Sequence, residues 1–319
     1  MRPATRLFLA LVSGAAMVVS TSGLAAARPM ASDTSRAGLE VMGTFRGHHA
    51  NAGKPSRGKR TNNLSSHGGA IQQAPVVYIS WWGPEWASGF MTGGYTSAQA
   101  QTYNQDFFSH VGGSGWNNVV TQYCQNVPSG TTNCASVSGA QYITNPSGQL
   151  HGTWNDTTAV PASPTQADIA NAAKRLSAHF GYSANATYMV FTPHGKSMNG
   201  FGTQWCAWHS STSSSSGTVA YAYIPYQPDA GASCGVNFIN PNNPYGNGWF
   251  DGFSVVAGHE YSEAETDPFP NSGWLDRQGA ENADKCAWSS QSANINLGSQ
   301  QYAVQPTWSN ATSGCAMSR

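Results

Sequence analysis

The alternation of apolar and polar positions predicts two buried strands and two helices in the middle of the chain. Residues 75–83 and 187–192 are runs of β-branched and aromatic side chains, as in buried strands. Residues 97–110 have helical spacing with Ser97 as the expected cap, and Thr165 with Asp168 forms a capping-box-like start for a second helix. The order strand, helix, helix, strand predicts an α/β fold with a central mixed sheet and flanking helices, with α+β as the alternative.

Later parts of the chain carry weaker patterns. Residues 218–224 read as a further strand, and the apolar positions Phe253, Val256 and Ala257 predict a helix that leads into His259. Residues 200–217 are rich in serine, so we expect a loop there, held by Cys206. No internal repeat is present, and one domain accounts for the chain from residue 67 to residue 319.

The N-terminus predicts export. Arg2 and Arg6 precede an apolar stretch at 7–19, and Ala25–Ala27 offers a small-residue cleavage site, so residues 1–27 read as a signal peptide. The apolar stretch is too short and too interrupted for a membrane span, and no other stretch could cross a bilayer. We therefore expect a secreted, extracellular protein without a membrane partner.

Residues 28–66 predict a basic segment that need not fold. They are poor in apolar side chains, end in a stretch rich in glycine, serine and asparagine, and contain the dibasic pair Lys59–Arg60, a candidate processing site. The segment reads as a disordered leader or as a propeptide that covers an acidic site, and order is expected to begin at His67.

Charge is distributed unevenly. From residue 70 onward the chain has six basic and thirteen acidic side chains, a net charge of about −7. Such a domain repels nucleic acid and anionic membranes, so neither is expected as a partner.

The six cysteines predict three disulfide bonds. All of them lie in the exported part of the chain, and no Cys-x-x-Cys occurs, which argues against a thiolate zinc site. Fifteen pairings are possible, and short loops favour Cys124–Cys134, Cys206–Cys234 and Cys286–Cys315.

The acidic residues are concentrated in one stretch. Seven of the fifteen carboxylates lie between Glu260 and Asp284, and crowded carboxylates are most often compensated by a bound cation. On a helix, His259 and Glu263 project from the same face, as the two histidines of the zinc motif His-Glu-x-x-His do. Here the second histidine is replaced by Glu263, and Glu281 is the best-placed third ligand. Glu260 would then be the general base that takes a proton from a zinc-bound water as it attacks a carbonyl.

Other residues are candidates for supporting roles. Asp284 is expected to orient His259 from outside the ligand set, and Asp267 and Asp276 are alternative ligands. His194 follows a predicted strand, where α/β folds often place functional groups, so it is a catalytic candidate. His194, His209 and Tyr261 are equal candidates for stabilising the oxyanion.

A second interpretation is not catalytic. A structural calcium site built from Asp267, Asp276, Glu281 and Asp284 would also explain the acidic cluster. The chain would then be an extracellular binding or signalling protein, and its eleven tryptophans would suit carbohydrate recognition or a hydrophobic core.

Islands of the sequence resemble a known family. The matching positions are His67–Gly69, residues 79–83, residues 266–269 with Gly273 and Trp274, and Glu281 with Cys286. Through these positions, over residues 67–315, the chain is similar to the phosphate-induced, EXORDIUM-like secreted proteins and their bacterial relatives. The plant members act in cell-wall-associated growth signalling, whereas bacterial relatives with His-Glu-x-x-Glu and a downstream Glu-x-x-Asp-x-Cys resemble metallopeptidases, and the downstream glutamate also occurs in thermolysin-like peptidases. The resemblance implies a secreted zinc metallopeptidase, and we expect a monomer that acts on peptide or protein substrates.

Overall fold

A mixed six-stranded sheet forms the centre of the molecule. A computed structural model describes residues 40–45, 62–241 and 247–319, all within one compact unit. The strands of the sheet are β1 (Glu40–Gly43), β2 (Val76–Trp82), β3 (Leu150–Asp156), β4 (Ala186–Phe191), β5 (Trp205–Ser214) and β6 (Gly217–Ile224). Their spatial order is β1-β5-β6-β4-β2-β3. The last four in that order are parallel, and β5 is antiparallel to both of its neighbours. The α/β class predicted from sequence is confirmed.

Helices cover both faces of the sheet. They are α1 (Pro84–Ser88), α2 (Ser97–His110), α3 (Gln166–Phe180) and α4 (Asn247–Thr266). Helix α3 packs on one face, against Tyr188 and Val190 of β4, and α4 packs on the other, against the layer that contains Met189 and Phe191. Successive residues of β4 therefore enter opposite cores, as the period of a strand requires.

The sequence pattern predicts the N-cap of one of the two helices correctly and places that of the other helix one residue too late. Thr165 and Asp168 form the predicted capping box of α3. Helix α2 has the predicted bounds, but Thr96 rather than Ser97 is its cap, in a capping box with Gln99.

Strand β5 lies where a loop was expected. The prediction for residues 200–217 was wrong because the serines of β5 pair with β6 in a regular antiparallel ladder from Trp208–Tyr223 to Ser214–Gly217. Ladder hydrogen bonds and the burial of Trp205 and Trp208 compensate for the low strand propensity of serine.

Parts of the predicted leader belong to the fold. Residues 40–43 form β1, and Ser65–Ser66 pairs with Trp274–Leu275, so the expectation that order begins at His67 was wrong at these positions. The apolar residues Met42 and Leu64 are fully buried, which accounts for the order there. The predicted signal peptide (residues 1–27) and residues 28–39 and 46–61 lie outside the described residues.

The remaining elements are short and surround the sheet. Two-stranded pairs join Met91–Thr92 to Tyr95–Thr96, Cys124–Gln125 to Gln141–Tyr142, Ala293–Leu297 to Gln300–Val304, and Thr307–Ser309 to Gly314–Ala316. Segments of 3₁₀ helix occur at Asn117–Gln122, Cys134–Ser136, Gln227–Cys234 and Asp284–Cys286, and the third is kinked at Gly231.

All three predicted disulfide bonds are present, Cys124–Cys134, Cys206–Cys234 and Cys286–Cys315. Three disulfides fit an extracellular protein. Within the described ranges, no helix combines the length and the apolarity that a bilayer crossing requires.

Candidate metal centre

Helix α4 carries the centre of the acidic cluster into the core. From Gly248 to Thr266 every residue except Trp249 is buried. His259, Glu260 and Glu263 are each no more than 1% exposed. Charged side chains are rarely buried so completely unless they are paired or bind a metal.

His259 and Glu263 converge as the motif predicts. His259 Nε2 lies 3.0 Å from Glu263 Oε1. The third group beside them is Asp284, whose Oδ1 lies 3.5 Å from His259 Nε2 and whose backbone N–H donates to Glu263 Oε1 at 2.9 Å. Asp284 begins a 3₁₀ turn that the Cys286–Cys315 disulfide ties to the C-terminal segment. Asp284 therefore occupies the place that sequence assigned to Glu281.

Glu281 lies on the other side of the cluster, beside a histidine of the sheet. Glu281 Oε2 is 3.6 Å from Nε2 of His209, which β5 contributes. His209 Nδ1 is 3.2 Å from Glu260 Oε2 and 3.5 Å from Glu263 Oε2. His209 thus faces α4, and the two oxygens of Glu263 face different histidines.

Among the described residues, two groups of side chains have the spacing of metal ligands. His259, Glu263 and Asp284 form one group, and His209, Glu260 and Glu263 form the other, with the candidate ligand atoms of each within 4.8 Å of one another. Neither group contains Glu281. Glu263 is common to both, so the site is one continuous cluster rather than two separate ones.

Gln305 fixes the orientation of His259. Its Oε1 lies 3.2 Å from His259 Nδ1, and its amide nitrogen donates to the carbonyl of Ala283 at 2.8 Å. Because the amide nitrogen donates to Ala283, Oε1 faces the ring and accepts a hydrogen bond from the N–H at Nδ1. Nε2 is then the nitrogen that can offer a lone pair to a cation beside Glu263 and Asp284.

Within the described part of the chain, several buried atoms of the cluster make no hydrogen bond of good geometry, although some lie at ion-pair distance from a neighbour. They are His209 Nε2, His259 Nε2, Glu260 Oε1 and Glu263 Oε2. A buried polar atom without a partner is costly, and two imidazoles with several carboxylates are a donor set that suits zinc. The residues present therefore fit a divalent cation.

The pKa values reflect competition between burial and pairing. Burial alone would lower the pKa of His209, but Glu260 and Glu263 outweigh it and raise this pKa to about 10. Burial would raise the pKa of Glu263, but His259 and His209 lower it to about 2. Burial raises the pKa of Glu260 to about 7 against the opposing effect of the same histidines. Without a cation the histidines hold protons that balance the carboxylates, and a bound cation would replace that positive charge.

The remaining candidates lie away from this cluster or have other partners. His194 has a side chain that is 52% exposed and lies 2.5 Å from Asp229 Oδ1 through its Nδ1. The structure therefore does not bring His194 to the cluster. Tyr261 is buried on a different side of α4, where its hydroxyl donates to Gln149 Oε1 at 2.8 Å.

Asp267 and Asp276 are engaged elsewhere. Asp267 accepts the backbone N–H groups of Ser272 and Gly273 and so closes the turn after α4. Asp276 lies 2.7 Å from Lys285 Nζ. Neither aspartate belongs to either ligand-like group.

Sequence reasoning missed two members of the site. His209 was considered as an oxyanion donor, not as a partner of the glutamates, because its strand was read as a loop. Gln305 carries no signal in the sequence, since a single glutamine 46 residues from His259 belongs to no motif.

Comparisons with known proteins assign neither a family nor a function to this site. No family model, no curated protein and no solved structure matches the chain.

Proposed function

We propose that this protein is a secreted metal-dependent hydrolase, most simply a zinc peptidase, with its centre on α4. The observation that carries the proposal is the convergence of His259, Glu263 and Asp284 around one point, with Glu260 beside them. The three disulfide bonds support the extracellular location.

The proposed ligands are His259 Nε2, Glu263 and Asp284. A zinc ion held there would supply a Lewis acid for polarising a substrate carbonyl. Gln305 holds the ring of His259 in the tautomer that leaves Nε2 free. Glu263 is held in turn by the backbone N–H of Asp284.

Glu260 is the proposed general base. Its Oε2 is 3.2 Å from His209 Nδ1, whereas its Oε1 makes no hydrogen bond and can accept a proton from water. His209 acts as a positioning residue, because it fixes the carboxylate of Glu260 from the sheet side. Glu281 flanks His209 through the other ring nitrogen.

The non-catalytic interpretation has less support. Asp267 and Asp276, two of the four carboxylates that a calcium site would need, have partners of their own. None of the eleven tryptophans is exposed, since eight are buried and three are half-buried. The tryptophans therefore form core and offer no exposed platform for a sugar ring.

Substitution of the base tests the proposal. We expect purified protein to contain about one zinc per chain and to cleave casein after its N-terminal segment has been cut. Glu260→Gln should keep the metal and lose about 10²–10⁴-fold in hydrolysis, because only the proton acceptor is removed. Glu263→Gln, as the matched control, should lose metal and hydrolysis together. A wild-type protein with neither metal nor hydrolysis, whether cut or uncut, would contradict the proposal.

A further inference from the structure

The general base and the histidines of the candidate centre are closed to substrate as they stand, and Asp284, 28% exposed, is the one partly exposed ligand candidate. His209, His259, Glu260 and Glu263 are each no more than 1% exposed. A peptide carbonyl needs to approach within hydrogen-bond distance of a general base before that base can act. Some covering segment therefore has to move if the centre acts on a peptide.

Strand β1 covers the outer edge of the strand that carries His209. It pairs antiparallel with β5, and its register places Glu40 opposite His209, Val41 opposite Trp208 and Met42 opposite Ala207. The register shifts by a bulge between Met42 and Gly43. Among the described residues, β1 is the element that satisfies the outer backbone groups of β5 next to the centre.

Side chains anchor residues 40–45, which are β1 and the two residues after it, at two points. Met42 is fully buried in the same core cluster as Val256 and Ala257 of α4. Phe45 packs edge-on against Phe238 and Trp288, with ring centroids 5.6 and 5.7 Å apart. Between these anchors, Trp288 Nε1 donates to the carbonyl of Gly43 at 2.8 Å. The strand thus spans both the sheet edge and the flank of α4.

β1 comes from the basic segment that precedes the main domain. The next described residue after Phe45 is Asn62, and the sequence between them contains the dibasic pair Lys59–Arg60. A cut at that pair would leave β1 attached by its non-covalent contacts alone. While it is tethered, β1 has an effective concentration of about millimolar at the edge of β5. Once the tether is cut this advantage is lost, so the strand could then dissociate.

We propose that the outer edge of β5 is the binding site for an extended peptide substrate, and that residues 40–45 occupy this site until they are displaced. The inference rests on the proposed peptidase function. An unpaired strand edge binds an added strand through main-chain hydrogen bonds, and pockets for its side chains set the specificity.

The anchors of β1 define the substrate class. A bound peptide places an apolar side chain where Met42 lies and an aromatic side chain where Phe45 lies, three residues later. The peptide residue two positions before the apolar anchor then pairs with His209, as Glu40 does in β1. That residue is the part of the peptide nearest the centre.

A binding experiment tests the edge without requiring catalysis. The full-length protein is cut with a dibasic-specific protease, and a fluorescent peptide with the sequence of residues 38–47 is titrated against it by anisotropy. We expect the peptide to bind the cut protein and not the uncut one. The same peptide with Met42→Asp should bind at least tenfold more weakly, and Val41→Thr, on the opposite face of the strand, serves as the matched control. A full-length Lys59→Gln/Arg60→Gln protein, treated with the same protease, should not bind the peptide.

A hydrolysis measurement separates the two proposals. Casein cleavage should rise at least tenfold on cutting, and the wild-type peptide should inhibit it competitively. Specific peptide binding without hydrolysis supports the edge site and contradicts the peptidase. Hydrolysis that is unaffected by cutting and by the peptide supports the peptidase and overturns the edge site. Equal affinities of the Met42→Asp and wild-type peptides also overturn it.

Discussion

Gln305 faces His259 with its carbonyl oxygen, 3.2 Å from Nδ1, because its amide nitrogen is already bound to Ala283. The backbone carbonyl of Gln305 in turn accepts the indole N–H of Trp116 at 2.7 Å. Gln305 is thus held through both its side chain and its backbone, and a substitution of its side chain should disturb metal binding at the proposed site.

Replacement of Gln305 by leucine should weaken metal binding. Without the acceptor at Nδ1 the imidazole loses its fixed tautomer and orientation, and we expect affinity for zinc to fall about 10–100-fold. Competition with a chromogenic chelator measures the effect. Gln300→Leu, on an exposed position of the preceding strand, is the control and should bind zinc like the wild type. Unchanged affinity in Gln305→Leu would show that the ring is oriented by other contacts.

Asp284 and Glu281 should differ in their effect on the metal. Asp284 lies in a group with His259 and Glu263, whereas Glu281 approaches His209. We therefore expect Asp284→Asn to lower zinc affinity at least tenfold more than Glu281→Gln does, measured by the same competition. The reverse order would restore the ligand set that sequence spacing predicted.

Glu265 should make the free energy of unfolding fall as the pH rises. Burial raises its pKa from 4.5 to about 8, against the hydrogen bond from the amide of Asn117 that lowers it. Between these two values the unfolded chain has lost the proton and the folded chain retains it, so the unfolded state binds fewer protons. The contribution to stability is then full below about pH 4.5 and is lost toward pH 8, by up to about 1.4 kcal/mol per pH unit.

The variant Glu265→Gln isolates this contribution. It keeps the shape of the side chain and removes the titration, so its stability should depend less on pH across that window. Urea unfolding at pH 5 and pH 8 measures the difference for both proteins. Parallel pH profiles for the variant and the wild type would exclude Glu265 as the source.

Loss of the Cys206–Cys234 disulfide should affect the centre as well as stability. Cys206 lies on β5 three residues before His209, and its partner ends the 3₁₀ turn Gln227–Cys234. Replacing both cysteines by alanine should cost about 2–5 kcal/mol of stability and should also lower zinc affinity.

The Cys124–Cys134 bond is the matched comparison. It lies in a separate small core with Leu64 and Trp274. Its removal should lower the melting temperature without a change in zinc affinity. An equal effect of both double variants on zinc would show that β5 does not depend on its disulfide.

The sequence predicted most of the fold where local pattern and final environment agree. The apolar runs that became β2 and β4, the capping box of α3 and the three short-loop disulfides are each decided by nearby residues. The same holds for His259 and Glu263, which one helical turn brings together.

The remainder of the site depends on contacts between distant residues. His209 meets Glu260 across 51 positions, from a strand whose serines resemble a loop. Asp284 rather than Glu281 reaches His259 because a 3₁₀ turn begins there, and spacing along the chain does not predict which of two nearby carboxylates will point inward. β1 was missed because a four-residue strand gains its stability from β5 and carries little pattern of its own.

Helix α4 is buried along nearly its whole length, and its acidic side chains are as buried as its valines. In most helices random mutagenesis would show that substitutions are tolerated on the solvent-facing side and not on the side that faces the core. Here nearly every position should resist change, and two of its glycines allow no side chain, since a Cβ at Gly248 or Gly252 would lie 2.0 or 2.2 Å from a neighbouring carbonyl oxygen. Diversity among functional variants should therefore be concentrated in the outer turns and small sheets, and it should be nearly absent from this one segment.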